Sequence, residues 1–211
     1  MRGCFVVLEG IDGCGKTTQM QHLENWLPSS GLMPKGSRLY LTREPGGTEL
    51  GVALRKLLLD PPADVSPEPL TELLLYAADR AQHVSKVILP HLEQGDWVLS
   101  DRFSGSTLAY QGYGRKLDIK LIEKLEMIAT TGLVPDLTIF LNISASESLS
   151  RRGSGFADRI ESEGLNFMSN VAAGFLELAR KRSWAVIDAS QKIDNVSKTI
   201  ENALVRHFRI I

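Results

Sequence analysis

The sequence has 211 residues, 43% of them hydrophobic and 7% aromatic, with a formal net charge of −1. That length supplies one sizeable core and favours a single domain over 1–211, and the near-neutral balance lacks the global basic field that would draw the chain onto nucleic acid. Cys4 and Cys14 form no disulfide framework or metal site and fit a reducing cytoplasm, while the apolar run at 4–8 is too short for an export signal or a membrane span.

The first buried strand is predicted at 5–8, and Gly10-Ile11-Asp12-Gly13-Cys14-Gly15-Lys16-Thr17 follows it directly. This is G-x-x-x-x-G-K-[ST] between a strand and a helix over 16–27, the context in which glycines let backbone N–H groups wrap a polyphosphate at a helix N-terminus. Lys16 supplies a mobile charge, Thr17 offers a hydroxyl to Mg²⁺, and Thr18 continues into the helix. The loop predicts binding of a nucleoside triphosphate but does not separate kinases from GTPases or other hydrolases.

A second strand at 38–41 runs into Thr42-Arg43-Glu44-Pro45-Gly46-Gly47-Thr48, whose glycines permit close backbone approach by a ligand. Helices are predicted over 48–59 and 69–94. On the latter, Tyr76 and Arg80 share one face, either as a core edge with a solvated charge or as a pair that stacks on and hydrogen-bonds a base. The third strand, 97–99, delivers Asp101 and Arg102 to the C-terminal edge of the sheet, where open α/β sheets bind ligands. There the carboxylate can orient a Mg²⁺ hydration shell or join the network around an acceptor phosphate, and the guanidinium can clamp a phosphate bidentately. A helix at 119–131, strands at 137–141 and 184–187, a helical stretch within 145–182 and a helix at 195–208 complete an alternating β/α pattern. It predicts an α/β, three-layer fold with a five-stranded parallel sheet and helices on both faces.

The phosphate loop EGIDGCGKTTQ, then TREPGGT, LLLYAADRAQH, DRFSGSTLAYQG, DRIE and VIDAS, in that order, closely resemble the bacterial thymidylate kinases over nearly the whole chain. The resemblance implies a P-loop NTPase fold and a kinase moving the γ-phosphate of ATP to dTMP with Mg²⁺, for which the residues themselves offer Thr17 and, through water, Asp101. No N-K-x-D guanine motif supports a GTPase, and TREPGG with Tyr76 and Arg80 argues against a kinase for another nucleotide. By the same resemblance, Tyr76 stacks on thymine, Arg80 reads the base edge, and Arg102 holds the acceptor phosphate. Asp12 lies near that phosphate and the 3′-hydroxyl, Ser106, Thr107 and Tyr110 line the acceptor pocket with Tyr110 favouring deoxyribose, and Arg43 adds a phosphate contact. Residues 188–190 flank adenine. A mobile lid maps to 149–161, and because positions 11–14 contain no base, the catalytic charge is assigned to Arg151, Arg152 and Arg159. A homodimer is implied. Phe103 and Thr107 depart from the residues frequent at their positions in this family.

Overall fold

The computed structural model describes residues 2–62, 65–152 and 158–209. Among them, β1 (Phe5–Glu9), β2 (Leu39–Arg43), β3 (Trp97–Asp101), β4 (Leu137–Asn142) and β5 (Ala185–Asp188) form one parallel sheet in the order β2-β3-β1-β4-β5. β1 is buried along its full length, which explains its continuous apolar run. Val6 and Leu8 enter a core with Met20, Leu23, Phe175 and Ile200, while Phe5 and Val7 enter a second with Val84, Ile88, Leu92 and Phe103. The period-two alternation of one strand thus separates two helical layers.

The helices are α1 (Lys16–Trp26), α2 (Glu49–Leu59), α3 (Pro69–His83), α4 (Leu89–Glu93), α5 (Ser104–Thr107), α6 (Ile119–Thr130), α7 (Ala145–Arg152), α8 (Leu165–Lys181) and α9 (Ile193–Phe208). α2 begins where Thr48 accepts a hydrogen bond from Gly51 N at 2.9 Å. Two of the predicted helices are interrupted. The 69–94 helix widens to i→i+5 turns over Val84–Ile88 before α4, whose Pro90 has no N–H to continue the ladder. The 145–182 stretch divides into α7 and α8, the latter entered through Gly164 at φ 88°.

A helical segment not expected from the sequence follows β3. α5 opens into wide turns over Leu108–Gly114, where Arg115 N reaches Tyr110 O at 2.9 Å. Its start is held from a distance: Glu9 Oε1 accepts from Phe103 N at 3.0 Å and from Ser106 N at 3.1 Å. These are N–H groups that an α-helix cannot satisfy by itself.

Candidate active site

The turn after β1 is built for close approach. Gly10 sits at φ 148°, and a Cβ there would lie 2.7 Å from Leu141 O and 2.8 Å from Cys14 Sγ. Gly13 and Gly15 also have positive φ, and Gly15 caps the start of α1. The side chains of Ile11 and Cys14 are buried in the core, so these two positions present only backbone to a ligand. Lys16 Nζ donates to Gly10 O at 3.1 Å and Ile11 O at 3.2 Å, folding the ammonium over the loop. One cleft is lined by Asp12, Gly13, Gly15, Lys16, Thr17, Arg43, Asp101, Arg102 and Arg151. Beside it, a groove of about 720 Å³ runs past Thr18, Arg151, Ala189 and Ile193. This groove lies beside residues 188–190, and its wall there is a turn whose Ala189 N donates to Asn142 O at 3.0 Å.

Arg102 is the centre of the opposite wall. It is a non-glycine residue at φ 72°, a left-handed conformation costing about 1–3 kcal/mol that the surroundings must enforce. They do so through the backbone, Arg102 N donating to Leu8 O at 2.9 Å and Ser100 Oγ to Arg102 O at 2.8 Å. The guanidinium then donates to Gly10 O at 2.9 Å, Ser106 Oγ at 3.0 Å and Asp12 Oδ1 at 2.6 Å, and it lies 5.2 Å from the Tyr110 ring centre. Tyr110 OH donates to Asp12 Oδ2 at 2.8 Å. Burial opposes the Asp12 charge, yet Arg102 and Lys16 outweigh it and hold this carboxyl well below the usual range.

The TREPGG turn is fixed by buried charges. Glu44 N donates to Asp101 O at 2.9 Å, and the following Glu44-Pro45 peptide is cis. Glu44 Oε2 accepts from Arg80 Nε at 2.8 Å, and Glu44 Oε1 lies 2.8 Å from His83 Nδ1, whose Nε2 lies 2.6 Å from Thr42 Oγ1. A Cβ on Gly47 would fall 2.5 Å from His83 Nε2, and Gly46 N donates to Asp79 Oδ1 at 3.1 Å. The His83 contact excludes a side chain at position 47, and Gly46 sits at φ 104°, a left-handed conformation that favours glycine. Asp79 is pushed up to about 6 by burial and by the neighbouring Glu44 charge. Arg80 is 2% exposed and also donates to Thr107 Oγ1 at 2.8 Å and Glu126 Oε1 at 2.5 Å, with its guanidinium 5.4 Å from the Phe103 ring centre.

A pocket between α3, α5 and this turn is lined by Asp12, Tyr76, Arg80, Arg102, Ser106, Thr107 and Tyr110, so seven of the eight residues assigned to the acceptor come together. The eighth, Arg43, is exposed and faces the phosphate cleft instead. The pocket adds Glu44, Pro45, Arg55, Leu59, Gln111 and Ile160, which sequence reasoning did not single out. Arg55 Nη1 donates to Pro45 O at 2.9 Å, and burial together with the Arg43 and Arg102 charges lowers its pKa. Gln111 donates to the fully buried Glu72 at 2.8 Å.

The arginines assigned to the lid separate. Arg151 lines the phosphate cleft, donating to Ala189 O at 2.8 Å and Glu147 at 2.6 Å. Arg159 does not reach that cleft: it donates to Leu58 O at 2.8 Å and to Glu72, whose carboxylate also binds Arg115 at 3.1 Å. The fully buried Glu72 carboxylate on α3 holds it there. The Arg152 side chain and residues 153–157 lie outside the described residues. Among those described, no cluster of His, Cys, Asp or Glu forms a ready-made metal cage, and no helix is long and apolar enough to cross a membrane. Asp101 Oδ1 is buried without a hydrogen-bond partner beside the cleft that Thr17 lines, a donor pair suited to a hydrated hard cation such as Mg²⁺.

A family model described as "Thymidylate kinase" matches residues 8–200. The chain is 67% identical over 208 residues to a thymidylate kinase of Prochlorococcus marinus (strain MIT 9313), covering 99% of this chain and 96% of that one. It is 60% identical over 207 residues to the thymidylate kinase of Synechococcus sp. (strain WH7803), covering 98% and 97%, and 59% identical over 207 residues to that of Synechococcus sp. (strain CC9605), covering 98% and 99%. A phosphate loop facing an arginine-lined pocket across one seam, matched over nearly the full length by these relatives, makes the chain a member of the thymidylate kinase family.

Proposed function

We propose that this chain transfers the γ-phosphate of ATP to dTMP, giving dTDP in the biosynthesis of dTTP. The carrying observation is the seam: the acceptor pocket and the phosphate cleft share Asp12, Glu44, Arg55 and Arg102. Donor and acceptor phosphates therefore meet on one set of side chains, the arrangement needed for direct in-line transfer.

In this reading ATP lies along the groove by Ala189 and Ile193, with its phosphates on the backbone of residues 10–18 and on Lys16. dTMP enters the pocket with its ring on Tyr76, its base edge toward Arg80 and its phosphate at Arg102 and Arg43. Asp12 and Tyr110 hold the Arg102 guanidinium and border the deoxyribose. The acceptor phosphate is already largely dianionic near neutral pH, its second pKa being ~6, so no general base is required. The chain's work is positioning and charge stabilisation. Thr17 and Asp101 would hold Mg²⁺, which when bound would supply charge neutralisation at the donor phosphates. Arg151, joined by Arg152 and Arg159 when the lid over 149–161 closes, completes the cationic cage.

The chain acts as one domain in the cytoplasm and pairs as a homodimer. Exposed Leu50 and Leu57 on α2, Leu70 and Leu74 on α3 and Leu121 and Ile128 on α6 support the pairing, since these helices pack side by side. The test is a coupled ADP-release assay with Mg-ATP and a panel of nucleoside monophosphates. Strong preference for dTMP over dUMP and dCMP is expected; ADP formation indifferent to dTMP would refute the assignment.

A further inference from the structure

Glu9, the last residue of β1, is 1% exposed and lies behind the acceptor arginine rather than in either ligand cavity. Besides the two N–H groups at the start of α5, its Oε2 accepts from Ser106 Oγ at 2.6 Å. Ser106 Oγ in turn accepts from Arg102 Nη1 at 3.0 Å. A hydroxyl has one proton and two lone pairs. Because the proton goes to Glu9, a lone pair is turned toward the guanidinium. The approach is tight enough that a Cβ on Gly105 would sit 2.8 Å from Glu9 Oε1, so the segment after β3 is shaped around this carboxylate.

We propose that Glu9 is a positioning residue for the acceptor phosphate, acting through the Ser106 hydroxyl to aim the Arg102 guanidinium. The proposal rests on the reading that Arg102 holds that phosphate. Arg102 needs such support because its backbone occupies a strained left-handed conformation and its side chain takes its direction from its partners. In Glu9→Gln the amide oxygen still accepts the two backbone N–H groups, while the new NH₂ faces Ser106. The hydroxyl then loses its acceptor, and its proton is no longer fixed away from Arg102.

The experiment is calorimetric titration of dTMP and of thymidine into wild type, Glu9→Gln, Ser106→Ala, the double variant and Arg102→Ala. It is run at pH 8.5, above the value of about 7 to which burial pushes the Glu9 carboxyl. Thymidine lacks the phosphate, so loss of aim at Arg102 affects dTMP alone, whereas collapse of the pocket affects both. Glu9→Gln is expected to weaken dTMP about tenfold, roughly 1.4 kcal/mol, with thymidine changed less than about twofold. The double variant should be no weaker than Ser106→Ala. Equal losses for the two ligands, additive losses in the double variant, or no loss of dTMP affinity would overturn the proposal. If Glu9→Gln fails to fold, Ser106→Ala carries the same dTMP-selective expectation. If Arg102→Ala itself leaves the dTMP-to-thymidine ratio unchanged, the reading of Arg102 fails; if that ratio collapses there and survives in Glu9→Gln and Ser106→Ala, the relay through Glu9 alone fails.

Discussion

Replacing Arg80 by methionine would leave two buried carboxylates facing each other without their cation. Arg80 is 2% exposed and bonds Glu44 at 2.8 Å and Glu126 at 2.5 Å, whose side chains are 3% and 8% exposed. Removing one partner from such a buried pair costs about 3–5 kcal/mol, because the remaining charge is uncompensated. For a chain of this length that corresponds to a fall in Tm of roughly 6–20 °C. The loss has a pH signature. Burial already raises the Glu126 pKa, with Arg80 opposing it, so the variant's carboxyl rises further above its unfolded value. An acid of this kind binds its proton more tightly when folded, hence the variant recovers stability as pH falls and the deficit is largest above the folded pKa. Urea unfolding followed by tryptophan fluorescence at pH 8 and pH 5.5 measures both. A deficit of about 3–5 kcal/mol at pH 8, smaller by at least about 1 kcal/mol at pH 5.5, is expected. Equal deficits at the two pH values, or one below about 1 kcal/mol at pH 8, would refute the reasoning.

Arg102→Ala should lower turnover by about 10³ or more with ATP binding intact, as expected for an arginine that stabilises a transferring phosphoryl group; single-turnover kinetics with separate ATP titration checks it, and a collapse of ATP affinity with an unchanged acceptor KM would contradict it. Asp79 is raised to about 6, so its contribution is greatest at acid pH and disappears as pH rises through about 6. Asp79→Asn should flatten the stability profile between pH 4 and 7 by about 2–3 kcal/mol, measured by chemical denaturation across that range. Gly47→Ala drives a Cβ to 2.5 Å from His83 Nε2 and 2.9 Å from Arg43 O; kcat/KM for dTMP should fall by more than about tenfold with ATP binding spared, read from steady-state kinetics.

The strands and phosphate loop were legible because their signals are local. β1 is a continuous apolar run abutting a glycine pattern, and its ends were read to within a residue. The helical turn at Ser104–Gly114 was not legible, because its glycine, serine and tyrosine content opposes helix formation and its cap, Glu9, stands 94 residues before Phe103. The widening over Val84–Ile88 was hidden by apolar periodicity continuing through it. Among site residues, Tyr76 and Arg80 could be paired by helical spacing, but Gln111, Arg55 and Glu44 gain their places through partners 39, 10 and 36 residues away. Arg159 shows the converse. The family resemblance placed it in a mobile lid, and only the fold shows the buried Glu72 that captures it.

The carbonyl of Gly10 accepts from Lys16 on one side and from Arg102 on the other. A single backbone oxygen thus joins the two cations that the proposed function assigns to donor and acceptor. In that reading, ligands that draw on Lys16 and on Arg102 draw on the same carbonyl, and any factor by which one changed the affinity of the other would be returned in equal measure.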